Sequence, residues 1–175
     1  MRSKTIMVAL CWACLTSITL PAADDANQAP PKPAQAGDKA AADATEPVWL
    51  TSLEKAQELA KKEHKKILTN FTGSDWCIWC KKLEAEVFST ATFKTWAAKN
   101  VILLKLDFPK QKPQDDATKT ANRALMNKYG VKGFPTVLFL DETGKEVGRS
   151  GYQEGGADKW TSSAEKAMAG TPAAQ

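Results

Sequence analysis

Apolar positions along this chain alternate between two periods. After Ser52, the residues Leu53, Ala56, Leu59 and Ala60 recur at three and four positions with Glu54 in the first turn, which predicts an amphipathic helix opened by the serine. Lys65 to Thr72, with Ile67, Leu68 and Phe71 as its apolar members, reads as a strand. Cys77 to Phe88 returns to helical spacing, with Cys80, Leu83, Val87 and Phe88 on one side, and a short helix is expected over Ala91 to Ala98. Val101 to Phe108 is almost continuously apolar, the mark of a strand buried on both faces in a partly parallel sheet, and Pro109 to Pro113 ends it. Ala117 to Tyr129 reads as a helix closed by Gly130, and Pro135 to Leu140 as another buried strand. Asp141-Glu142-Thr143-Gly144 supplies a hairpin turn into Lys145 to Gly151, and Ala157 to Met168 a last helix. This order predicts an α/β sandwich around one central mixed sheet.

The N-terminal pattern is of another kind. Arg2 and Lys4 precede an uncharged apolar run, Ile6 to Leu20, followed by Pro21-Ala22-Ala23-Asp24, the arrangement of a secretory signal peptide cleaved near Ala22 or Ala23. A retained anchor is the alternative, and the run is short for a membrane span. Ala22 to Pro47 is Ala, Pro, Asp and Lys with almost no large apolar residue, so it cannot repay the entropy of folding and reads as a disordered tether. The expected organisation is a signal peptide over 1–23, a tether over 24–47, one domain over 48–170 and a tail over 171–175, in a protein that is periplasmic or secreted.

Composition agrees with one globular domain. In 175 residues, 43% are hydrophobic and 25% charged, which excludes wholesale disorder, a collagen-like repeat and a multi-span membrane protein. Of 24 Lys and Arg against 20 Asp and Glu, two cations lie in the signal segment, leaving 22 against 20 and no reason to invoke nucleic acid. Cys11 and Cys14 also fall in that segment. Their C-x-x-C spacing is a decoy if the segment is cleaved, and the expected mature chain then keeps Cys77 and Cys80 in a compartment where disulfides persist.

Cys77-Ile78-Trp79-Cys80 follows a predicted strand and begins a predicted helix. There the first sulfur points off the exposed helix N-terminus, where free backbone N–H groups and the helix dipole stabilise a thiolate. Cys80, almost one turn on, is close enough for a disulfide and lies deeper under the helix. Zinc would need more ligands than two cysteines and the single histidine, His64, supply, and covalent haem would need a histidine where Lys81 stands, so neither a metal nor a cofactor is expected. A purely structural disulfide remains the alternative to redox chemistry, although so small a loop constrains the unfolded chain little.

The segment Phe71-Thr72-Gly73-Ser74-Asp75-Trp76-Cys77-Ile78-Trp79-Cys80-Lys81 resembles the active-site strand and helix of the thioredoxin superfamily. Tyr129-Gly130-Val131-Lys132-Gly133-Phe134-Pro135-Thr136 resembles the stretch leading into that family's cis-proline, and Lys105-Leu106-Asp107 the strand that holds its buried lysine. Gly144 and Gly151 fall where its hairpin glycines lie. The run Cys-Ile-Trp-Cys-Lys-Lys-Leu-Glu is most similar to secreted thioredoxin-like proteins akin to the C-terminal domain of DsbD-type reductases.

The resemblance implies a thioredoxin fold, a mixed sheet with helices on both faces, and a monomer. It implies that Cys77 is the nucleophile and Cys80 the resolving thiol. Pro135 would be cis, the backbone of Phe134 would pair with an extended substrate, and Trp76 would supply an apolar wall, ordinary core packing being the alternative for both aromatic residues. Partners would be cysteine-containing proteins and an upstream thiol donor such as a membrane reductase, in a reductase or isomerase; a non-catalytic interaction module with a structural Cys77–Cys80 bridge is the competing function. One departure stands out. Many thioredoxins carry a buried Asp that serves proton transfer at the resolving cysteine, and the matching position here is Asn70, or Thr69 if the alignment slips by one; neither accepts a proton as a carboxylate does. Asp75, in the loop, is a poor substitute.

Overall fold

The computed structural model describes residues 46–170, so the expected signal segment, the expected tether through residue 45 and the tail from 171 lie outside the described residues. The elements are β1 (Trp49–Leu50), α1 (Leu53–Glu63), β2 (Lys66–Thr72), α2 (Ile78–Leu83) continued by a π-helical turn (Glu84–Phe88), α3 (Ala91–Asn100), β3 (Val101–Asp107), α4 (Asp116–Lys128), β4 (Thr136–Leu140), β5 (Glu146–Ser150) and α5 (Gly156–Met168). Local chemistry sets their ends. Ser52 caps α1 by accepting the Lys55 N–H, and Thr90 caps α3 by accepting the Phe93 N–H. Asp115 caps α4, and Gly130, at φ +61°, follows its C-terminus as expected.

The sheet runs β1-β3-β2-β4-β5, with β1, β3 and β2 parallel and β4 and β5 antiparallel additions. Strand alternation sends its two faces into separate cores. Leu68, Leu103, Val137 and Phe139 pack with Leu83, Val87, Phe93 and the fully buried Trp160, under α2, α3 and α5. Ile67, Phe71, Leu104, Leu106 and Leu138 pack with Leu53, Ala56 and Ala60 of α1, with Leu125 and Met126 of α4 at the margin. Helices thus cover both faces of one mixed sheet, the architecture expected.

Register brings the site together. Parallel pairing sets Thr72 beside Asp107, and antiparallel pairing sets Phe71 beside Thr136. The segments that follow β2 and β3 therefore meet the segment that precedes β4, which contains Pro135.

Three local features differ from the expectation. β1 leaves no mark in the hydrophobic pattern because two residues carry no period; pairing with Leu103 and Leu104 and a Trp49–Phe88 ring contact at 5.3 Å hold it in place. The helix expected over Cys77 to Phe88 begins one residue later, with Cys77 as its N-cap. It also widens at Glu84–Phe88, where the Ser89 N–H reaches back to the Glu84 carbonyl at 2.9 Å, and this turn keeps both Val87 and Phe88 buried.

Candidate active site

The loop from Gly73 to Trp76 carries the chain from β2 into α2; Lys81 of α2 donates its Nζ to the Asp75 carbonyl at 2.8 Å, and the other side-chain hydrogen bonds that anchor the loop reach β3 or the segment after it. Asp107, at the end of β3, accepts the Ser74 N–H at 2.9 Å and the Ser74 hydroxyl at 2.6 Å. Asp75 accepts the N–H groups of Lys110, Gln111 and Lys112 at 3.1, 2.7 and 3.0 Å. Desolvation opposes the charge of Asp75, but the N–H groups of Gln111, Lys110 and Lys112 together outweigh it and lower its carboxyl to about 2. The Trp76 indole N–H donates to the Phe108 carbonyl at 2.8 Å. Gly73 permits that pose, since a Cβ there would stand 2.6 Å from the indole ring.

At the start of α2, Cys77 and Cys80 form a disulfide, and Cys77 Sγ accepts the Cys80 N–H at 3.2 Å. The cysteines are 6% and 5% exposed, which corrects the expectation of an exposed first sulfur and a deeper second one: joined, they share the same shelter. Three exposed residues beside them are apolar, and the exposed Lys81 follows Cys80. Trp76 is 38% exposed, Ile78 66% and Trp79 50%. Trp76 is therefore no core residue. Its ring meets Phe134 edge-on at 5.9 Å, and Phe134 lies half-buried against Phe108 at 5.0 Å. The Phe134–Pro135 peptide bond is cis, as the resemblance implied.

Asn70 lies on the face of β2 shared with Leu68, beneath α2, whereas Thr69 lies on the opposite face with Ile67 and Phe71. Thr69 thus faces away from α2. Asn70 is 3% exposed, pairs across β3 with Lys105, and its Oδ1 has no hydrogen-bond partner. Lys105 is half-buried rather than buried, because it borders an open cavity of about 410 Å³ that also reaches Cys80, Thr72, Ser74, Lys81 and Glu84. Among the described residues no three His, Cys, Asp or Glu side chains converge as a metal site requires.

Sequence reasoning had not singled out Phe108, Lys110 or Tyr152. Phe108 extends the aromatic row beside Pro135, Lys110 stands over the Trp76 ring at 4.0 Å, and Tyr152 lies 5.3 Å from Trp79. Only the proline-rich break after β3 hinted at a loop committed to one shape.

Residues 53–163 match the family described as a thioredoxin-like domain. The chain is 33% identical over 129 residues to the disulfide bond reductase DsbH of Chlamydia pneumoniae, covering 71% of this chain and 78% of that one. It is 32% identical over 98 residues to the thiol:disulfide interchange protein DsbD of Pasteurella multocida (strain Pm70), covering 56% of this chain but only 16% of that longer protein. Among solved structures, a DsbH oxidoreductase superposes with a TM-score of 0.71 at 30% identity, over 79% of this chain and 95% of that one.

Proposed function

We propose that this chain, which belongs to the thioredoxin-like family, is an exported thiol–disulfide oxidoreductase that reduces or isomerises disulfides in other proteins through Cys77 and Cys80. The observation that carries the reading is the Cys77–Cys80 disulfide at the N-terminus of α2, sheltered yet ringed by exposed apolar side chains. A bridge of purely structural use would have no need of that ring.

Reduction then proceeds in two exchanges. The Cys77 thiolate attacks one sulfur of a substrate disulfide, and the other substrate sulfur leaves as a thiolate that takes up a proton. Cys80, having lost its own proton, attacks Cys77 Sγ, so the mixed disulfide breaks, the reduced substrate departs and the Cys77–Cys80 bond re-forms. Two electrons pass to the substrate, and an upstream dithiol protein restores the cysteines by the same exchange in reverse. In isomerisation a second substrate thiol, not Cys80, resolves the mixed disulfide. Phe134 precedes β4 and stands outside its ladder, so its backbone is available to an extended substrate strand, with Trp76 as the apolar wall. The signal segment 1–23 directs export and the tether 24–47 gives the monomeric domain reach in the periplasm or outside the cell.

Insulin reduction driven by dithiothreitol, paired with a glutathione titration of Cys77–Cys80, tests the reading. The expected result is turnover with a potential toward the thioredoxin end, near about −270 mV; a value near about −120 mV would mark an oxidant instead. No turnover from a folded, reducible protein would leave only the structural bridge.

A further inference from the structure

Each cysteine of the pair directly follows an exposed tryptophan in the chain, and each tryptophan carries a lysine on its ring. Lys110 Nζ stands 4.0 Å from the centre of the Trp76 ring, and Lys82 Nζ 4.9 Å from Trp79 and 5.8 Å from Tyr152. Among the described residues neither ammonium has a carboxylate at ion-pair distance. Of the nearby acids, Asp75 takes three backbone N–H groups and Glu86 takes the Tyr152 hydroxyl at 2.7 Å, while the exposed Glu154 lies near Tyr152 without reaching ion-pair distance of Lys82. Two unpaired cations are thus held over aromatic faces beside the bond that reacts, by the attraction between a cation and a ring quadrupole.

An ammonium held in this way has spent one direction on the ring and keeps its remaining N–H donors for an incoming acceptor. The tryptophan beneath it still offers apolar surface, so each unit suits a side chain with a carboxylate and a short apolar stem. Lys105 and Lys112, at the cavity behind Cys80, add positive field there, offset in part by Glu84 on the same wall.

We propose that the substrate segment is acidic: an extended stretch of a partner protein with Asp or Glu within a few residues of the reacting cysteine, received by Lys82 and Lys110. This rests on the exchange reading above and names the class of protein that the same site serves. The chemistry of transfer is unchanged; the lysines raise the rate of encounter and fix the orientation of the segment.

The test uses the reduced protein and three disulfide-bonded peptides that share one sequence except for acidic, neutral or basic residues flanking the cysteine, with the small neutral disulfide of 2-mercaptoethanol alongside. The acidic peptide is expected to react faster than the neutral one by about two- to fivefold per carboxylate, and the basic one slowest. The spread should shrink as salt rises from about 0.01 M, where charges act over about 30 Å, to about 1 M, where they act over about 3 Å. In the double variant Lys82→Gln, Lys110→Gln the three peptides should converge. Equal rates for the three peptides on the natural protein, or a preference that survives the double variant, would overturn the proposal while leaving exchange intact. Failure to reduce even the small neutral disulfide would remove the exchange reading, and this inference with it.

Discussion

Cys77 Sγ accepts the backbone N–H of Cys80 at 3.2 Å, so the sulfur assigned to attack is itself the cap of the helix that carries its partner. When the disulfide opens, a thiolate at Cys77 keeps that donor and the positive end of α2, whereas a thiolate at Cys80 lies inside the first turn with neither. Shelter does not separate the two sulfurs; position on the helix does. In the reduced protein Cys77 should titrate well below the ordinary thiol value of about 8.5 and be alkylated by iodoacetamide near neutral pH, with Cys80 slow. Cys77→Ser should abolish attack. Cys80→Ser should attack and stall, accumulating mixed disulfides that appear on non-reducing gels and clear with reductant. If both variants trap equally, the division of labour is wrong.

Asp75 supports the site from the loop. Its folded-state carboxyl is lowered to about 2 from an ordinary 3.8, so its contribution to stability is complete above about pH 3.8 and is lost as pH falls toward 2. Asp75→Asn should therefore melt below the natural protein at neutral pH, and the gap should close on acidification through that window. The same variant should loosen the segment around Lys110 and lower peptide reduction by severalfold. A melting difference that stays constant from pH 7 to pH 2 would show that the charge of Asp75 is not what holds the loop.

Much of this was legible in the chain because it is local. The change from strand to helix period located β2, α2, β3 and β4, and the paired Cys77 and Cys80 with the distant Phe134-Pro135 marked both halves of the candidate site. What escaped depends on partners far away in sequence. β1 exists through its pairing with β3, and the Asp75 anchor depends on three N–H groups 35 to 37 residues later. The roles of Lys82 and Lys110 depend on rings that only folding brings beneath them. The choice between Thr69 and Asn70 shows the boundary well: the alignment left it open by one residue, and one residue on a strand is the difference between opposite faces of the sheet.

Trp160 is the largest fully buried side chain, contacting Phe88, Phe93, Trp96 and Phe139 and donating its indole N–H to the Gly151 carbonyl at 2.9 Å. It joins α5 to the face of the sheet that α2 also covers. Trp160→Ala should cost about 3–5 kcal/mol in urea unfolding, through lost contacts and the cavity left behind. Trp160→Phe should cost less, while leaving the Gly151 carbonyl without its donor. A loss under about 1 kcal/mol for the alanine variant would mean that α5 is not integral to this core.

Asn70 offers the sharpest test of how Cys80 loses its proton. It sits on the α2 side of β2, opposite Lys105, 3% exposed and with an unpartnered Oδ1. In Asn70→Asp, burial would push the new carboxyl above its ordinary value of about 3.9, with Lys105 pulling partly the other way. A folded-state pKa above the unfolded one means no penalty below about pH 4, where both states are protonated. The penalty then grows as pH rises through the folded value, reaching about 1.4 kcal/mol for each tenfold by which folding weakens the acid. The variant should therefore match the natural protein in urea unfolding near pH 4 and fall behind it by pH 8. Its exchange rate should acquire a titration that the natural protein lacks, because a carboxylate at this position can take the Cys80 proton and an amide cannot. A parallel pair of stability curves with an unchanged pH–rate profile would place position 70 outside the proton path and leave solvent entering the cavity beside Cys80 as the acceptor.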